Sequence, residues 1–230
     1  MGFSRGPNIV RDSLALALDA ASPRSYPGSG TTWYDLSGNE KNFTFSSTPT
    51  ITIGPNGGYW QTSGVVATGP SSDSLGINNS SGYTIFWVGR TVTTGANGIF
   101  KIYSSVSGNR GIFAHPTWSN NTIYFDQGGC CSSSQRITYT NSSLTDGTWA
   151  ICGLRSTVNT RSIFYNGTKV TNTTVTAANL DLSSTNMELN TNDNGYNWNG
   201  YLASFFVYNR GLTDNEMLQN YKAFKSRANL

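Results

Sequence analysis

Tyr83-Thr84-Ile85-Phe86-Trp87-Val88 is the stretch on which the fold turns. Alternate residues of an extended chain share a side, so Tyr83, Ile85 and Trp87 form one face and Phe86 and Val88 the other. Both faces are apolar, which places this strand in the middle of a covered sheet or beneath a contact. Working outward, Ile99 to Tyr103, Gly111 to Ala114, Ile123 to Phe125 and Trp149 to Leu154 are further short strands, separated by clusters of Gly, Ser, Asn and Asp. Short strands at this spacing describe a sandwich or a barrel.

Leu14, Leu16 and Leu18 alternate with Ala15 and Ala17, the period of a strand with one strongly buried face. Arg161 to Asn166 and Thr168 to Thr171 flank Gly167, and Asn-Gly suits the positive φ angles of a type I′ hairpin turn. Asn199 to Tyr208 reads as the last strand, with Tyr201, Ala203, Phe205 and Val207 on one side. Thr213 and Glu216 then have the spacing of a helix capping box, with Leu212 able to pack on Met217. A helix is expected over 214–226, burying Met217, Tyr221 and Phe224 and leaving Lys222 open.

A chain of 230 residues accommodates one such sandwich, with residues 1–13 as an arm and 14–230 as the domain. Only 37% of the residues are apolar, but six Trp, twelve Tyr and eleven Phe supply enough ring area to fill a core. Charge is sparse, at 12% of residues, and the net +3 is scattered without a basic run. Nucleic acid is therefore not an expected partner. The first apolar run ends at Asp19, so neither a signal peptide nor a membrane-spanning segment is expected.

Leu14-Ala15-Leu16-Ala17-Leu18-Asp19-Ala20, the run from Tyr26 through Trp33-Tyr34-Asp35-Leu36-Ser37-Gly38-Asn39, and Tyr208-Asn209-Arg210-Gly211-Leu212-Thr213 leading into Glu216 and Gln219-Asn220-Tyr221 resemble three motifs of one family. The family is that of the concanavalin A-like, laminin-G-like (LamG) domains found in virion proteins of tailed bacteriophages and in related bacterial surface proteins. The resemblance implies an all-β, two-sheet antiparallel jelly-roll sandwich with one short C-terminal helix. Some relatives bind calcium, but Asn56-Gly57-Gly58-Tyr59-Trp60-Gln61 lacks the acidic residues common there, and Asp73, Asp126, Asp146, Asp181 and Asp193 are scattered singly. No metal or other cofactor is expected.

Catalytic chemistry finds little footing. The glutamates are Glu40, Glu188 and Glu216, the last already used in the helix cap, so a facing acid and base pair for glycoside hydrolysis is not expected. His115 stands alone, and Cys130 lies in a small-residue loop without the elbow that activates a nucleophile. The candidate contact residues are the rings in polar surroundings: Trp33, Tyr59, Trp60, Trp118, Tyr196 and Trp198. Such rings stack on sugars, fill a protein interface or anchor long loops.

Taken together, the leading expectation is a non-enzymatic structural protein of a phage particle, a capsid decoration or tail-associated protein. Its partners would be the major capsid protein, tail components or copies of itself, and its arm from Gly2 to Arg11 would run along a neighbouring subunit. The alternative is a carbohydrate-binding, lectin-like adhesion module with glycan as its partner. A glycoside hydrolase is the outsider.

Overall fold

The computed structural model describes residues 8–226 and Ala228, apart from 55–56, 63, 78–81, 107–110, 129–134, 143, 145–146, 176–180, 183–184 and 191–196. Two eight-stranded sheets pack face to face. The first contains β1 (Leu14–Asp19), β4 (Thr50–Gly54), β5 (Gly57–Gln61), β7 (Tyr83–Thr91), β12 (Trp149–Ser156), β13 (Thr160–Tyr165), β14 (Thr168–Thr174) and β16 (Gly200–Tyr208). Its order is β14-β13-β12-β7-β16-β5-β4, with β1 also paired to β16. The second runs β11-β10-β9-β8-β15-β6-β3-β2. Its strands are β2 (Thr32–Trp33), β3 (Phe43–Phe45), β6 (Ala67–Ser71), β8 (Phe100–Ile102), β9 (Ile112–His115), β10 (Thr122–Gln127), β11 (Arg136–Thr140) and β15 (Asn186–Leu189). All the named pairings are antiparallel, so the expected all-β sandwich is the observed architecture.

β7 is central, as its two apolar faces require. Tyr83, Ile85 and Trp87 point into the core between the sheets, while Phe86 and Val88 belong to a second apolar cluster on the outer face. That outer cluster is roofed by α1 (Asp214–Phe224), whose Phe224 ring lies 5.1 Å from Phe206 and 6.1 Å from Phe86. Gly153 lets the helix sit close, because a Cβ there would stand 2.1 Å from Met217 Cε. The capping box forms: Glu216 N donates to Thr213 Oγ1 at 3.3 Å, and Thr213 N donates to Glu216 Oε2 at 2.8 Å. Met217 and Phe224 are buried, Tyr221 is half-buried against the 166–167 turn, and Lys222 is exposed.

Two expectations change. Phe205 and Val207 face the core, whereas Tyr201 and Ala203 do not share their side, because a bulge between Leu202 and Ser204 adds one residue and reverses the alternation. The segment from Asn8 to Val10 does not need a neighbouring subunit to hold it. Val10 N donates to Asn220 Oδ1 at 2.9 Å, Tyr208 Oη donates to Val10 O at 3.0 Å, and Gln219 Nε2 donates to Asn8 O at 2.7 Å.

The residues that carried the family resemblance are latches of this fold. The Asp35 carboxylate accepts from the amides of Ala17 (2.8 Å), Ser37 (2.8 Å) and Lys41 (3.1 Å), tying the long loop to β1. Arg210 bridges Asp12 at 2.9 Å and Glu216 at 2.6 Å, joining the approach to β1 with the helix cap.

Candidate functional site

The helix covers only part of the first sheet's outer face. Arg90 lies four residues beyond Phe86 on β7, about 13 Å further along at strand rise. Across the strands, Arg90 pairs with Trp149 of β12 on one side and Tyr201 of β16 on the other, and Tyr201 pairs with Gln61 of β5. These four side chains form one row, since directly opposite residues project from the same face. Tyr59, two residues before Gln61, belongs to that face as well.

The rings converge over Arg90. Tyr59 and Trp149 come from strands separated by β7 and β16, roughly 14 Å apart at normal strand spacing, yet their ring centroids are 5.7 Å apart. Both rings must therefore lean inward across the row. Tyr59 also meets Tyr201 at 4.8 Å, and the Arg90 guanidinium carbon sits 4.5 Å from the Tyr201 centroid and 5.9 Å from that of Trp149. All four residues are half-buried, while Gln61, Thr50 and Thr52 beside them are exposed. The result is a half-open aromatic platform around a cation, bordered by uncharged polar side chains. It can stack apolar ring faces and donate hydrogen bonds from a guanidinium.

Beneath this end of the sheet Trp198 fixes the backbone. Its indole Nε1 donates to Thr91 Oγ1 at 3.1 Å, and its ring lies where any Cβ at Gly89 or Gly200 would stand, 2.7 and 2.3 Å away. Glycine at both positions lets the strands close over the indole. Trp198 thus anchors the platform instead of meeting a ligand.

The other sequence candidates fall in several places. Trp33 and Trp60 are fully buried in the core, edge to face at 5.8 Å, and take no part in any surface. Tyr59 is in the platform. Trp118 is half-buried on the second sheet's outer side, 4.6 Å from His115 and 5.9 Å from Tyr124. Tyr196 lies outside the described residues, as do Cys130 and Cys131. Arg90, Trp149 and Tyr201 were not singled out from sequence as contact residues: Trp149 opens one recognised strand, Tyr201 lies near the start of another, and Arg90 follows two residues after Val88.

Around Trp118 the charges are already matched. Arg136 holds Asp126 through two bonds of 2.5 and 2.6 Å, which raises the guanidinium's pKa, and also lies 4.5 Å from the Tyr124 ring. His115 is buried with Nδ1 against the Asn97 carbonyl. Two clefts, of about 310 and 360 Å³, flank the loop near residues 20–28. Their rings, Phe206, Phe224 and Tyr26, are buried, so neither offers an open aromatic face.

Among the described residues nothing gathers the groups that hydrolysis would use. Glu188 is on β15 opposite Lys101 and Thr68, Glu40 is in the exposed loop before β3, and Glu216 is in the helix cap. Burial pushes up the pKa of the Cys152 thiol, leaving it an inert core residue. Among the described residues no three His, Cys, Asp or Glu side chains cluster as a metal site, and no helix is long and apolar enough to cross a membrane.

Residues 56–217 match the family model of the concanavalin A-like lectin/glucanases superfamily. No curated protein sequence matches the chain. Among solved structures it is similar to the binding domain of paraclostridial mosquitocidal protein 1, at 14% identity and a TM-score of 0.69, covering 93% of this chain and 53% of that one. It is also similar to the binding domain of botulinum neurotoxin DC in complex with SialylT (15% identity, TM-score 0.66, 93% and 52% covered). A third is a structure of botulinum neurotoxin type C, whose cell entry depends on interaction with two ganglioside molecules (16% identity, TM-score 0.66, 94% and 52% covered). The chain spans about half the length of these domains.

These comparisons correct the leading expectation. The similar structures just named are toxin binding domains, not bacteriophage virion proteins, so the capsid decoration or tail role, the capsid and tail partners and the virion location are all withdrawn. Sparse charge, at 12% of residues, suits a domain that meets a polyhydroxylated ligand as well as one packed on a shell. Of the arm from Gly2 to Arg11 that was to reach a neighbour, Asn8 to Val10 is held by the chain's own helix, and residues 2–7 lie outside the described residues.

Proposed function

This chain belongs to the concanavalin A-like lectin/glucanases superfamily, and from that premise we propose that it is a non-catalytic carbohydrate-binding module whose site is the platform of Tyr59, Trp149 and Tyr201 around Arg90. The observation that carries this is the row of half-open rings left uncovered where α1 ends, built from four strands and braced from below by Trp198. Sugar rings present C–H faces that stack on aromatic rings, and their hydroxyls find partners in Gln61 and the threonines of β4. A rigid sheet holds these groups in place before the ligand arrives, which lowers the entropy cost of binding. The fold shared with domains solved with SialylT or linked to ganglioside-dependent entry supports a glycan as the ligand class.

A glycan array probed with the purified domain tests the reading, followed by titration of the best ligand against Trp149→Ala and Tyr201→Ala. Each variant should bind about tenfold more weakly, the equivalent of one lost stacking contact, while melting as a folded sandwich. An array without a bound glycan, or variants that bind as the parent does, would overturn it.

A further inference from the structure

We propose that the platform selects glycans bearing an anionic substituent, a carboxylate or a sulfate ester, received by the open end of Arg90. This rests on the carbohydrate-binding reading above and names the ligand class of the same site.

The motive is an imbalance of partners. Four other buried or half-buried arginines have an acceptor: Arg136 has Asp126, Arg155 has Asp214 and the Leu212 carbonyl, Arg161 has the Gln135 carbonyl, and Arg210 has Asp12 and Glu216. Arg90 has two rings and no acceptor. Its Nε is buried without a hydrogen-bond partner. Its two terminal nitrogens make no side-chain hydrogen bond either, yet they are not among the buried unsatisfied atoms, so they reach solvent. The stem of the side chain is thus sunk under the rings, and the forked end faces outward.

That geometry is specific in what it accepts. A guanidinium is planar and carries its donors in a fixed fork, which matches two oxygens of a carboxylate or a sulfate. Tyr201, 4.5 Å away, and Trp149 hold the plane, so little side-chain freedom is left to lose on binding. A neutral hydroxyl could take one of these bonds, but it would leave a partly desolvated cation without a counter-charge. Neighbouring Gln61, Thr50 and Thr52 are neutral, so none competes for the guanidinium or repels the ligand's charge.

Matched pairs of ligands decide the matter: one oligosaccharide with its carboxylate and with that carboxylate converted to a neutral amide, and a second with and without its sulfate. The wild-type domain should bind the acidic member of at least one pair about tenfold more tightly, and added salt should erode that advantage. The pair that shows preference identifies the source of the charge. Arg90→Gln should abolish the preference, while Arg90→Lys, which keeps the charge but not the fork, should restore only part of it. Equal binding of acidic and neutral members by the wild type overturns this inference and leaves the carbohydrate-binding reading standing. Absence of binding to every member overturns the carbohydrate-binding reading itself. The wild-type comparison needs no variant, so it stands even if Arg90→Gln folds poorly.

Discussion

Asn220 Nδ2 donates to the phenolic oxygen of Tyr208 at 3.0 Å, and both side chains are completely buried between α1 and the end of β16. The same asparagine accepts from Val10 N, and Tyr208 donates to Val10 O, so a three-way clamp closes the N-terminal segment against the last strand and the helix. Burial raises the Tyr208 hydroxyl's pKa, keeping it a donor at any ordinary pH. Asn220→Ala strands the Val10 amide and should cost about 1–3 kcal/mol. Urea unfolding measures it, and proteolysis ahead of Arg11 should accelerate. A loss well under that range would mean that water replaces the clamp.

Thr213 is exposed, so its contribution is the cap and not packing. Thr213→Ala should lower stability by about 0.5–2 kcal/mol, whereas Thr213→Ser should be nearly neutral. Equal effects from both changes would assign the loss to something other than the hydroxyl.

The Arg210 guanidinium, with help from Thr213 donors, holds the Glu216 carboxyl at about 2, well below its ordinary 4.5. A carboxylate with a lowered folded-state pKa stabilises the protein above its unfolded value and loses that contribution as the pH falls through the folded one. Stability should therefore decline between roughly pH 4.5 and pH 2. Asp214, lowered by Lys169 and Arg155, acts with the same sign. Glu216→Gln should flatten the profile in that window while Asp214 preserves a remnant slope; an unchanged profile would refute the assignment.

The hairpin turn at Asn166 and Gly167 has φ values of 47° and 80°. A Cβ at Gly167 would also lie 2.6 Å from the Tyr221 ring. Gly167→Ala should cost about 1–3 kcal/mol through backbone strain and crowding, read by thermal melts. Restoring stability with Tyr221→Ala in the same chain would separate the crowding from the strain.

Local chemistry was readable from sequence wherever neighbours in the chain are neighbours in space. The Asn166-Gly167 turn and the Thr213-Glu216 cap are cases of this, and so is β7, whose alternation of Tyr83, Ile85 and Trp87 continues uninterrupted. The reading failed at Phe205, because a single bulge residue in β16 is invisible to periodicity and exchanges the faces beyond it. It also failed for Trp33 and Trp60. Strands of two to five residues beside glycines and prolines carry too little pattern to tell a core ring from a surface one. Arg90 could have been placed on the Phe86 and Val88 face by extending the alternation two steps. Its meeting with Trp149, Tyr201 and Tyr59 depends on the lateral order of four strands far apart in the chain, which no local pattern encodes.

The antiparallel pairing of β1 with β16 puts Leu14 opposite Tyr208 and Asp19 opposite Ser204. Tension applied to the two ends of the chain would therefore enter at one extremity of that ladder and peel it bond by bond, a mechanically compliant geometry, instead of shearing all its bonds at once. The Asn220 clamp would yield first, then Leu14 and Tyr208. Tyr201 lies at the opposite extremity of β16, furthest from the point of loading. A domain held by its platform and towed by its ends would thus fail at the tether while its grip remained assembled.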